Sequence, residues 1–400
     1  MRKSLLLILL FSVFSIFACS GFVEEVDPLI NQVEDDRLDD ASQVDFLIKG
    51  VLHQMSKTAD RMAVYAGALS DELVFDQDLP RATFPSFDEI NRGEISLDNN
   101  SVDGLNINMN EGRFFADDLV DRTMELSEID AELLRRALYT SYLVGGLMRQ
   151  YMGSYWGITE NEPGGVLDVG PFVPQAQMYA LALEKYDLAL GQAADDFETR
   201  VVQTLIARVH FYGGDFAAAG AAAALGLRAA DGNFDALYNI DNNNEYFFAT
   251  HDDGRIQFIV DDRYQGYVVA DPEEAARLPL LPTEGTSGKI WYYQNKFPLK
   301  ESPFPVASWQ ENELMLAEVE VRNGGGDPLT RVNDIRASFG MSPLAAVDLD
   351  VLYSERERTL WLQGFRLLDQ LRFDRFHLAA DKWHHFPITE RERSINPNID

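Results

Sequence analysis

The feature that most limits the fold of this 400-residue chain is the spacing of its apolar residues, which recur every three or four positions along most of the sequence. This spacing gathers them on one face of an α-helix. It predicts a mainly α-helical fold, with helices over these ranges: 44–68, 127–151, 175–194, 197–210 and 216–230. Ser127 and Asp130 have the spacing of a capping box at the start of the second helix.

The helices at 197–210 and 216–230 are joined by Gly213-Gly214-Asp215, and the pair resembles a tetratricopeptide unit. Small residues such as Ala207 and Ala219 would let the two helices approach closely. An ordinary alanine-rich hairpin is the alternative. Stacked pairs of this kind form short solenoids, which usually provide contact surfaces rather than catalytic sites.

Two stretches lack helical spacing. Residues 74–115 contain several chain-breaking residues, and they predict a long functional loop. Residues 231–307 contain prolines at intervals and predict a loop-rich region with short strands at 246–250, 256–260 and 290–293. Aromatic residues are frequent in both stretches, so we expect the ligand side of the molecule to be built from them.

Helical spacing returns near the C-terminus, with helices predicted at 308–322, 328–339 and 349–374. The first begins with the capping box Ser308-Trp309-Gln310-Glu311 and is followed by Gly324-Gly325-Gly326, which predicts a C-cap and a turn.

The chain thus divides into three regions, at 43–230, 231–307 and 308–400. Its length is sufficient to bury about three quarters of the surface of the unfolded chain. We expect the three regions to form one compact body.

The charge balance argues against one class of partner. The chain has 65 Asp and Glu residues against 34 Lys and Arg, a formal charge of -31. Nucleic acids bind through clustered Lys and Arg, so no nucleic-acid partner is expected. The acidic surface fits either a source that lives at high salt or ordinary colloidal solubility.

The N-terminus predicts secretion and lipidation. A short positive segment precedes an apolar run at 5–17, which is too short to span a bilayer and has the anatomy of a secretory signal. The run ends in Ile16-Phe17-Ala18-Cys19-Ser20-Gly21, which resembles the bacterial lipobox, and Cys19 is the only cysteine of the chain. We therefore expect residues 1–18 to be a signal peptide, Cys19 to carry a lipid, and the acidic stretch 19–42 to be a tether. An ordinary signal peptide with an incidental cysteine is the alternative.

Several motifs in the C-terminal third have a common resemblance. Residues 311–318 (ENELMLAE) and 355–372 (ERERTLWLQGFRLLDQLR) carry acidic, arginine and leucine positions in a fixed order. They resemble the signature helices of the SusD/RagB family of outer-membrane nutrient-binding lipoproteins, and residues 386–398 resemble its closing stretch. Thr359 and Gln363 stand where many members of that family have glutamate.

The resemblance implies a SusD-like fold, in which tetratricopeptide-like hairpins pack with an irregular, loop-rich region containing a few short strands. It also implies a lipid-anchored protein of the outer membrane, exposed at the cell surface. Its partners would be a nutrient and a TonB-dependent β-barrel transporter. The nutrient would be an oligosaccharide or, as the alternative, a peptide.

The signature segment also contains charged residues at helical spacing. Glu355 and Arg358 are three residues apart, and so are Arg366 and Asp369, so each pair would be adjacent on a helix surface. We expect such pairs to hold helices to loops rather than to do chemistry.

Candidate ligand residues come from the irregular stretches. Sugars bind against aromatic faces that are flanked by planar polar groups, and the resemblance implies that loops hold the ligand. The candidates are Phe84, Asp88, Arg92, Tyr155, Trp156, Tyr264, Tyr267, Trp291 and Tyr292. The alternative for each aromatic residue is a place in the core.

The sequence gives no positive support for catalysis, and no cofactor or metal is expected. His384 and His385 are adjacent, so their side chains point apart, and no metal-binding motif frames them. Two other classes stay open. One is a helical-repeat scaffold lipoprotein without a small ligand, and the other is a secreted hydrolase with converging carboxylates of perturbed pKa.

Overall fold

A computed structural model describes residues 35–399 of the chain. The predictions for the signal peptide at 1–18, for lipidation at Cys19 and for most of the tether at 19–42 lie outside the described residues. Within the described range the chain forms fourteen α-helices and ten short strands, so the prediction of a mainly α-helical fold is confirmed. None of the helices between residues 35 and 399 has the length and apolar content needed to cross a membrane.

The helices are numbered in chain order. They are α1 (Val44–Leu69), α2 (Pro85–Arg92), α3 (Asn100–Glu125), α4 (Ala131–Tyr155), α5 (Gln175–Leu190), α6 (Asp196–Tyr212), α7 (Phe216–Ala223), α8 (Glu245–Thr250), α9 (Asp262–Ala270), α10 (Trp309–Asn323), α11 (Pro328–Ser338), α12 (Leu349–Thr359), α13 (Phe365–Arg372) and α14 (Glu390–Ile395).

The strands are short and make four small sheets. They are β1 (Leu73–Val74), β2 (Trp156–Thr159), β3 (Glu162–Val166), β4 (Phe172–Pro174), β5 (Phe234–Ala236), β6 (Ile259–Val260), β7 (Leu280–Glu284), β8 (Ile290–Gln294), β9 (Phe304–Ala307) and β10 (Phe386–Pro387). One sheet has the order β10-β2-β3-β4, and the other three are the pairs β1-β6, β5-β9 and β7-β8. Every strand pair is antiparallel except β10 with β2, which brings the C-terminal segment back beside the end of α4.

Helices that are adjacent or nearby in sequence pack against each other, as expected of a helical-hairpin fold. The helix α1 packs on α3 and α4, α4 packs on α5, and α6 packs on α7. Glycines make the α4–α5 contact close. A Cβ at Gly146 would lie 2.6 Å from the Tyr186 ring, and a Cβ at Gly153 would lie 2.9 Å from the Tyr179 ring. A larger residue at either position would push α4 and α5 apart.

The second half of the chain closes onto these hairpins through buried ion pairs. Arg208 of α6 donates from Nε to Glu311 of α10 at 2.5 Å and from Nη2 to the backbone oxygen of Val306 at 2.6 Å. The side chains of Arg208 and Glu311 are 3% and 1% exposed. A bidentate pair at this depth fixes how α10 lies on α6, because separating it would leave two charges buried without partners.

The partners of the signature residues differ from those expected from helical spacing. Glu355 accepts from Arg277 at 2.7 Å and from Arg336 at 3.1 Å, and both arginines lie outside α12. Arg366 donates to Asp71, at the end of α1, at 2.7 Å. The expectation that Glu355 pairs with Arg358 and Arg366 with Asp369 is therefore wrong in its partners. These charges do connect separate segments, as expected of structural pairs.

The largest correction concerns residues 74–115, which form α2 and the first part of α3 rather than a long loop. The Asn99 side chain caps α3 by accepting from the backbone N–H of Ser101 and Val102, both at 3.1 Å. Asparagine and glycine residues weaken the helical pattern in the first part of α3. Burial of residues such as Leu105 outweighs that low intrinsic propensity.

Two further predictions of element type fail. The strand predicted at 246–250 is the short helix α8, whose first turn is capped by the Asn244 side chain through the Phe247 N–H at 3.1 Å. The single helix predicted at 349–374 is two helices, α12 and α13. The break contains Leu362 with φ 56° and Gly364 with φ 85°, and this backbone conformation cannot continue a helix.

The capping predictions can be compared with the ends of several helices. Ser308 caps α10 by accepting from the Glu311 N–H at 3.2 Å, and Gly324 ends this helix in the left-handed conformation, both as predicted. The capping box predicted at Ser127 is wrong, because Asp130 itself caps α4 through the N–H of Glu132 at 3.0 Å. The helix α7 also ends earlier than predicted, at Ala223.

We predict that the substitution Glu311→Ala lowers the free energy of unfolding by about 3–5 kcal/mol, because it leaves Arg208 buried without a partner. Chemical denaturation of the purified protein measures the change. Asp45→Ala is the matched control, since Asp45 pairs with Arg136 at 3.1 Å with both side chains about half exposed. The control should change stability by about 0.5 kcal/mol or less. Similar losses in the two variants would contradict the prediction.

A second prediction concerns pH. His385 is 6% exposed, and burial, followed by the nearby His384, lowers its pKa to about 4. Because the unfolded chain binds a proton at an ordinary pKa of about 6.5, the folded state loses stability as pH falls from about 6.5 towards 4. At pH 5 the expected loss is about 2 kcal/mol. His385→Gln should remove this part of the difference between unfolding curves at pH 7 and pH 5. An unchanged difference would show that His385 does not carry it.

Candidate cleft at the start of α3

A cleft of about 660 Å³ opens where α1, α2, α3 and α8 meet. Its walls come from both loop-rich stretches of the sequence and from α1. The residues that line it are Arg61, Tyr65, Phe84, Pro85, Ser86, Phe87, Glu89, Ser96, Asp98, Asn99, Asn100, Ser101, Gly104, Glu245 and Phe248.

The apolar side of the cleft is a cluster of aromatic rings. Phe84 and Phe248 are half-buried, so each presents part of its ring to the cleft. Phe84 packs edge-on against Phe87 with ring centres 5.2 Å apart, and Phe87 is buried against Tyr65 at 5.3 Å. The guanidinium of Arg255 lies 4.2 Å from the centre of the Phe84 ring. These contacts on several sides hold Phe84 in place.

The polar side is the turn between α2 and α3, and its side chains bond to each other. Asn99 donates to the backbone oxygen of Ser86 at 2.9 Å and to the Glu89 carboxylate at 2.8 Å. Ser96 also donates to Glu89, at 2.8 Å, and the hydroxyls of Ser86 and Ser101 are 2.8 Å apart. The turn is therefore preorganised, and it presents hydroxyl and amide groups beside the aromatic rings.

Charged groups form the floor of the cleft. Arg61 of α1 pairs with Glu245 of α8 at 3.3 Å, and the buried Arg61 Nε has no hydrogen-bond partner within residues 35–399. Asp60, behind them, is 2% exposed and accepts from the Glu245 N–H at 2.5 Å and the Arg61 N–H at 2.7 Å. Burial, followed by the charge of Glu245, raises the pKa of Asp60 to about 8. Among the described residues no group of three or more His, Cys, Asp or Glu is arranged to hold a metal ion.

Of the residues proposed from sequence, only Phe84 lines this cleft. Asp88 and Arg92 follow it on α2 and pair with each other at 3.4 Å, with Arg92 mostly exposed. Their contact with a ligand stays a prediction. The candidates proposed from sequence therefore include the segment around Phe84, but not the other side chains that line the cleft with it.

Three of the proposed aromatic residues belong to the core, which corrects the prediction for them. Tyr155, Trp156 and Tyr264 are 2%, 1% and 0% exposed. Tyr155 donates to the backbone oxygen of Gly364 at 3.3 Å, and Trp156 packs on Phe386 with ring centres 5.2 Å apart. A ligand has no access to side chains that are covered in this way.

The remaining candidates lie apart from the cleft lining. Tyr267 is half-buried, with its hydroxyl 3.5 Å from Glu357. Trp291 is 7% exposed, and its Nε1 donates to Asp78 at 2.8 Å, which ties the β7–β8 hairpin to the segment before α2. Tyr292, its neighbour in β8, is half-buried. Any contact of these three with a ligand stays a prediction.

Most residues of the cleft were not among the candidates. Tyr65 and Arg61 lie on the helix predicted at 44–68, which supplied no candidate. Phe248 lies in the strand predicted at 246–250, and Glu245 immediately precedes it. One local signal was present. Asn99 followed by Asn100 and Ser101 is a typical helix N-cap sequence, and it would have placed the start of α3 here.

Comparisons with known proteins bear on the fold. No protein-family model matches the chain, and no curated protein matches its sequence. Solved structures do match. A SusD superfamily protein from Bacteroides thetaiotaomicron superposes with a TM-score of 0.74 at 15% identity, over 90% of this chain and 99% of that one. A SusD superfamily protein from Bacteroides vulgatus gives 0.71 at 17% identity, over 90% and 98%.

A third similar structure is described as a laminarin-binding SusD-like protein, with a TM-score of 0.71 at 15% identity over 90% of this chain and 98% of that one. All three likenesses extend over nearly the whole described chain. The chain therefore has the fold of the SusD superfamily, which confirms at the level of fold the resemblance that its C-terminal motifs indicate.

Proposed function

We propose that this protein is an outer-membrane lipoprotein that binds an oligosaccharide in the cleft at the start of α3 and passes it to a TonB-dependent transporter. The observation that carries the proposal is the SusD fold combined with a cleft of the chemistry that sugars require. Two proteins of the same fold are described as binding laminarin and as a SusD-like carbohydrate-binding protein. The proposal extends that activity to this chain.

The composition of the cleft supports a sugar ligand. Phe84 and Phe248 offer apolar ring surface, on which the C–H faces of a sugar can pack. Ser101 and Asn100 add hydroxyl and amide groups at the start of α3, within a turn that is already ordered by Asn99. A few fixed polar groups beside aromatic surface are the usual basis of small-ligand recognition.

The hydrolase alternative has one feature in its favour, the raised pKa of Asp60 next to Glu245. The contacts of Asp60 support a structural role instead. Both of its carboxylate oxygens accept backbone N–H groups, and its side chain is not part of the cleft lining. It therefore fixes the start of α8 against α1. The proposed function is binding and release, with no covalent step.

The proposed membrane anchor rests on the sequence. Cys19 follows a signal-like apolar run, and the described body begins soon afterwards at Asp35. A lipid at Cys19 would hold the body at the membrane through a short acidic segment. This arrangement suits delivery to a membrane transporter, which is the partner that the family resemblance implies.

We predict that Phe84→Ala weakens binding of the oligosaccharide about tenfold, because one aromatic contact of this kind is worth about 1–1.5 kcal/mol. Isothermal titration with laminarihexaose, maltohexaose and xylohexaose measures the change for whichever of these the wild-type protein binds. Phe46→Ala is the matched control, since Phe46 is 57% exposed and lies outside the cleft. Phe248→Ala provides a second test if Phe84→Ala is poorly folded. Unchanged affinity in both cleft variants would contradict the assignment of the cleft.

We also predict that Cys19→Ser releases the protein from the membrane, because it removes the atom that would carry the lipid. Fractionation of cells that express the full chain, with detection of the protein in membrane and soluble fractions, measures this. Ser20→Ala is the control and should stay in the membrane fraction. Membrane association of Cys19→Ser equal to that of the wild type would exclude lipid anchoring at this residue.

A further inference from the structure

A second cleft, of about 330 Å³, lies on the other flank of α3 and has α14 as one of its walls. From α3 it takes Asn106, Ile107, Asn110 and Phe114, and from α14 it takes Ile395. We propose that this cleft is a second glycan contact site, which binds a further part of a long glycan chain held in the first cleft. The inference rests on the proposed function.

The two clefts lie side by side on the same helix. The first cleft uses Ser101 and Gly104 of α3, and the second uses Ile107, Asn110 and Phe114, which are spaced three or four residues apart and form one stripe. The two sets lie on different faces of the helix, between Ser101 and Phe114. Because an α-helix rises about 1.5 Å per residue, these two positions are about 20 Å apart along the helix axis, a span that calls for a chain of several sugars.

The second cleft combines apolar surface with amide groups. Phe114 is 55% exposed and Ile395 is 66% exposed, so both present apolar surface where α3 and α14 meet. Asn110 bonds to the backbone oxygen of Asn106 at 3.0 Å and to its side-chain oxygen at 3.2 Å. These two amides are therefore held in place beside the Phe114 ring. An exposed aromatic ring next to ordered amides makes this cleft similar in chemistry to the first one.

The base of the cleft contains an unsatisfied donor. Arg113 is 7% exposed, and its guanidinium pairs with Asp168 at 2.6 Å and with Asp117 at 3.3 Å. Its buried Nε has no hydrogen-bond partner among the described residues. Unpaired buried donors are uncommon in native structures, and Arg113 is one of the residues that line the cleft.

The charges favour a neutral glycan over an anionic one. Both arginines of the cleft already face carboxylates, Arg113 as described and Arg391 through Asp103 at 3.8 Å. The lining also contains Glu111 and Glu392 and no lysine. A carboxylate or sulfate group on a ligand would lose its water shell beside an excess of negative charge.

The test is affinity electrophoresis of the full-length lipoprotein in native gels that contain laminarin, amylopectin or arabinoxylan. The trisaccharide of the same linkage, which is too short to reach both clefts, is measured by titration. Because contacts along one chain reinforce each other, Phe114→Ala should weaken binding to the polysaccharide about five- to tenfold and change the affinity for the trisaccharide less than about twofold. Phe84→Ala should weaken both. Phe46→Ala, with a ring of similar exposure, is the control and should weaken neither.

The outcomes separate the two proposals. If Phe114→Ala binds the polysaccharide as tightly as Phe46→Ala while Phe84→Ala loses binding, the second site is overturned and the proposed function stands. Preference of the wild type for a sulfated or uronic acid polysaccharide, added as a fourth gel, overturns the charge argument for the second cleft. Wild-type protein that none of these gels retards overturns both proposals.

Discussion

The buried pair of Arg208 and Glu311 is the interaction on which the arrangement of the two halves of the chain depends. Arg208 belongs to a hairpin helix of the first half, and Glu311 belongs to the first helix after the loop-rich region. The same guanidinium bonds to the backbone of β9 and lies 4.9 Å from the Phe365 ring, where α13 begins. The Arg208 side chain of α6 thus contacts three other elements, α10, β9 and α13. Because the guanidinium of Arg208 is buried, its charge is stabilised by these contacts rather than by solvent. The contacting elements therefore have a single low-energy arrangement.

The first cleft depends on a second fixed point, the Asn99 cap. Asn99 ends the turn after α2 and starts α3, and its amide bonds to both segments. The cleft lies between this turn and α8, which Asp60 fixes to α1. Its walls therefore come from separate parts of the chain that hydrogen bonds hold at set distances. Such a cleft binds a ligand with little loss of conformational entropy.

Most of the correct predictions concern local features, and the pairings and burial that depend on distant contacts were missed. The Ser308 cap, the Gly324 helix end and the course of α1 follow from neighbouring residues, and these predictions are correct. Glu355 pairs with Arg277, which is 78 residues away, and no helical spacing contains that information. Three of the aromatic candidates, Tyr155, Trp156 and Tyr264, belong to the core for the same reason. Tyr155 and Phe84 both stand near helix ends, and only the packing of the other segments buries the first and exposes part of the second.

The distribution of charge bears both on the packing of the helices and on the proposed ligand. Most of the buried cationic side chains are arginines. Those that join separate helices each pair with at least one carboxylate, as Arg356 does with Asp369 at 2.8 Å. The buried side chains of the described residues include nine Asp or Glu and seven Arg, so most of the chain's excess of 31 negative charges does not lie among them. Both clefts open onto the protein surface. Neutral chains of sugars approach this surface without an electrostatic penalty, whereas polyanions are repelled by it. The excess of negative charge therefore also restricts which ligands the protein can bind.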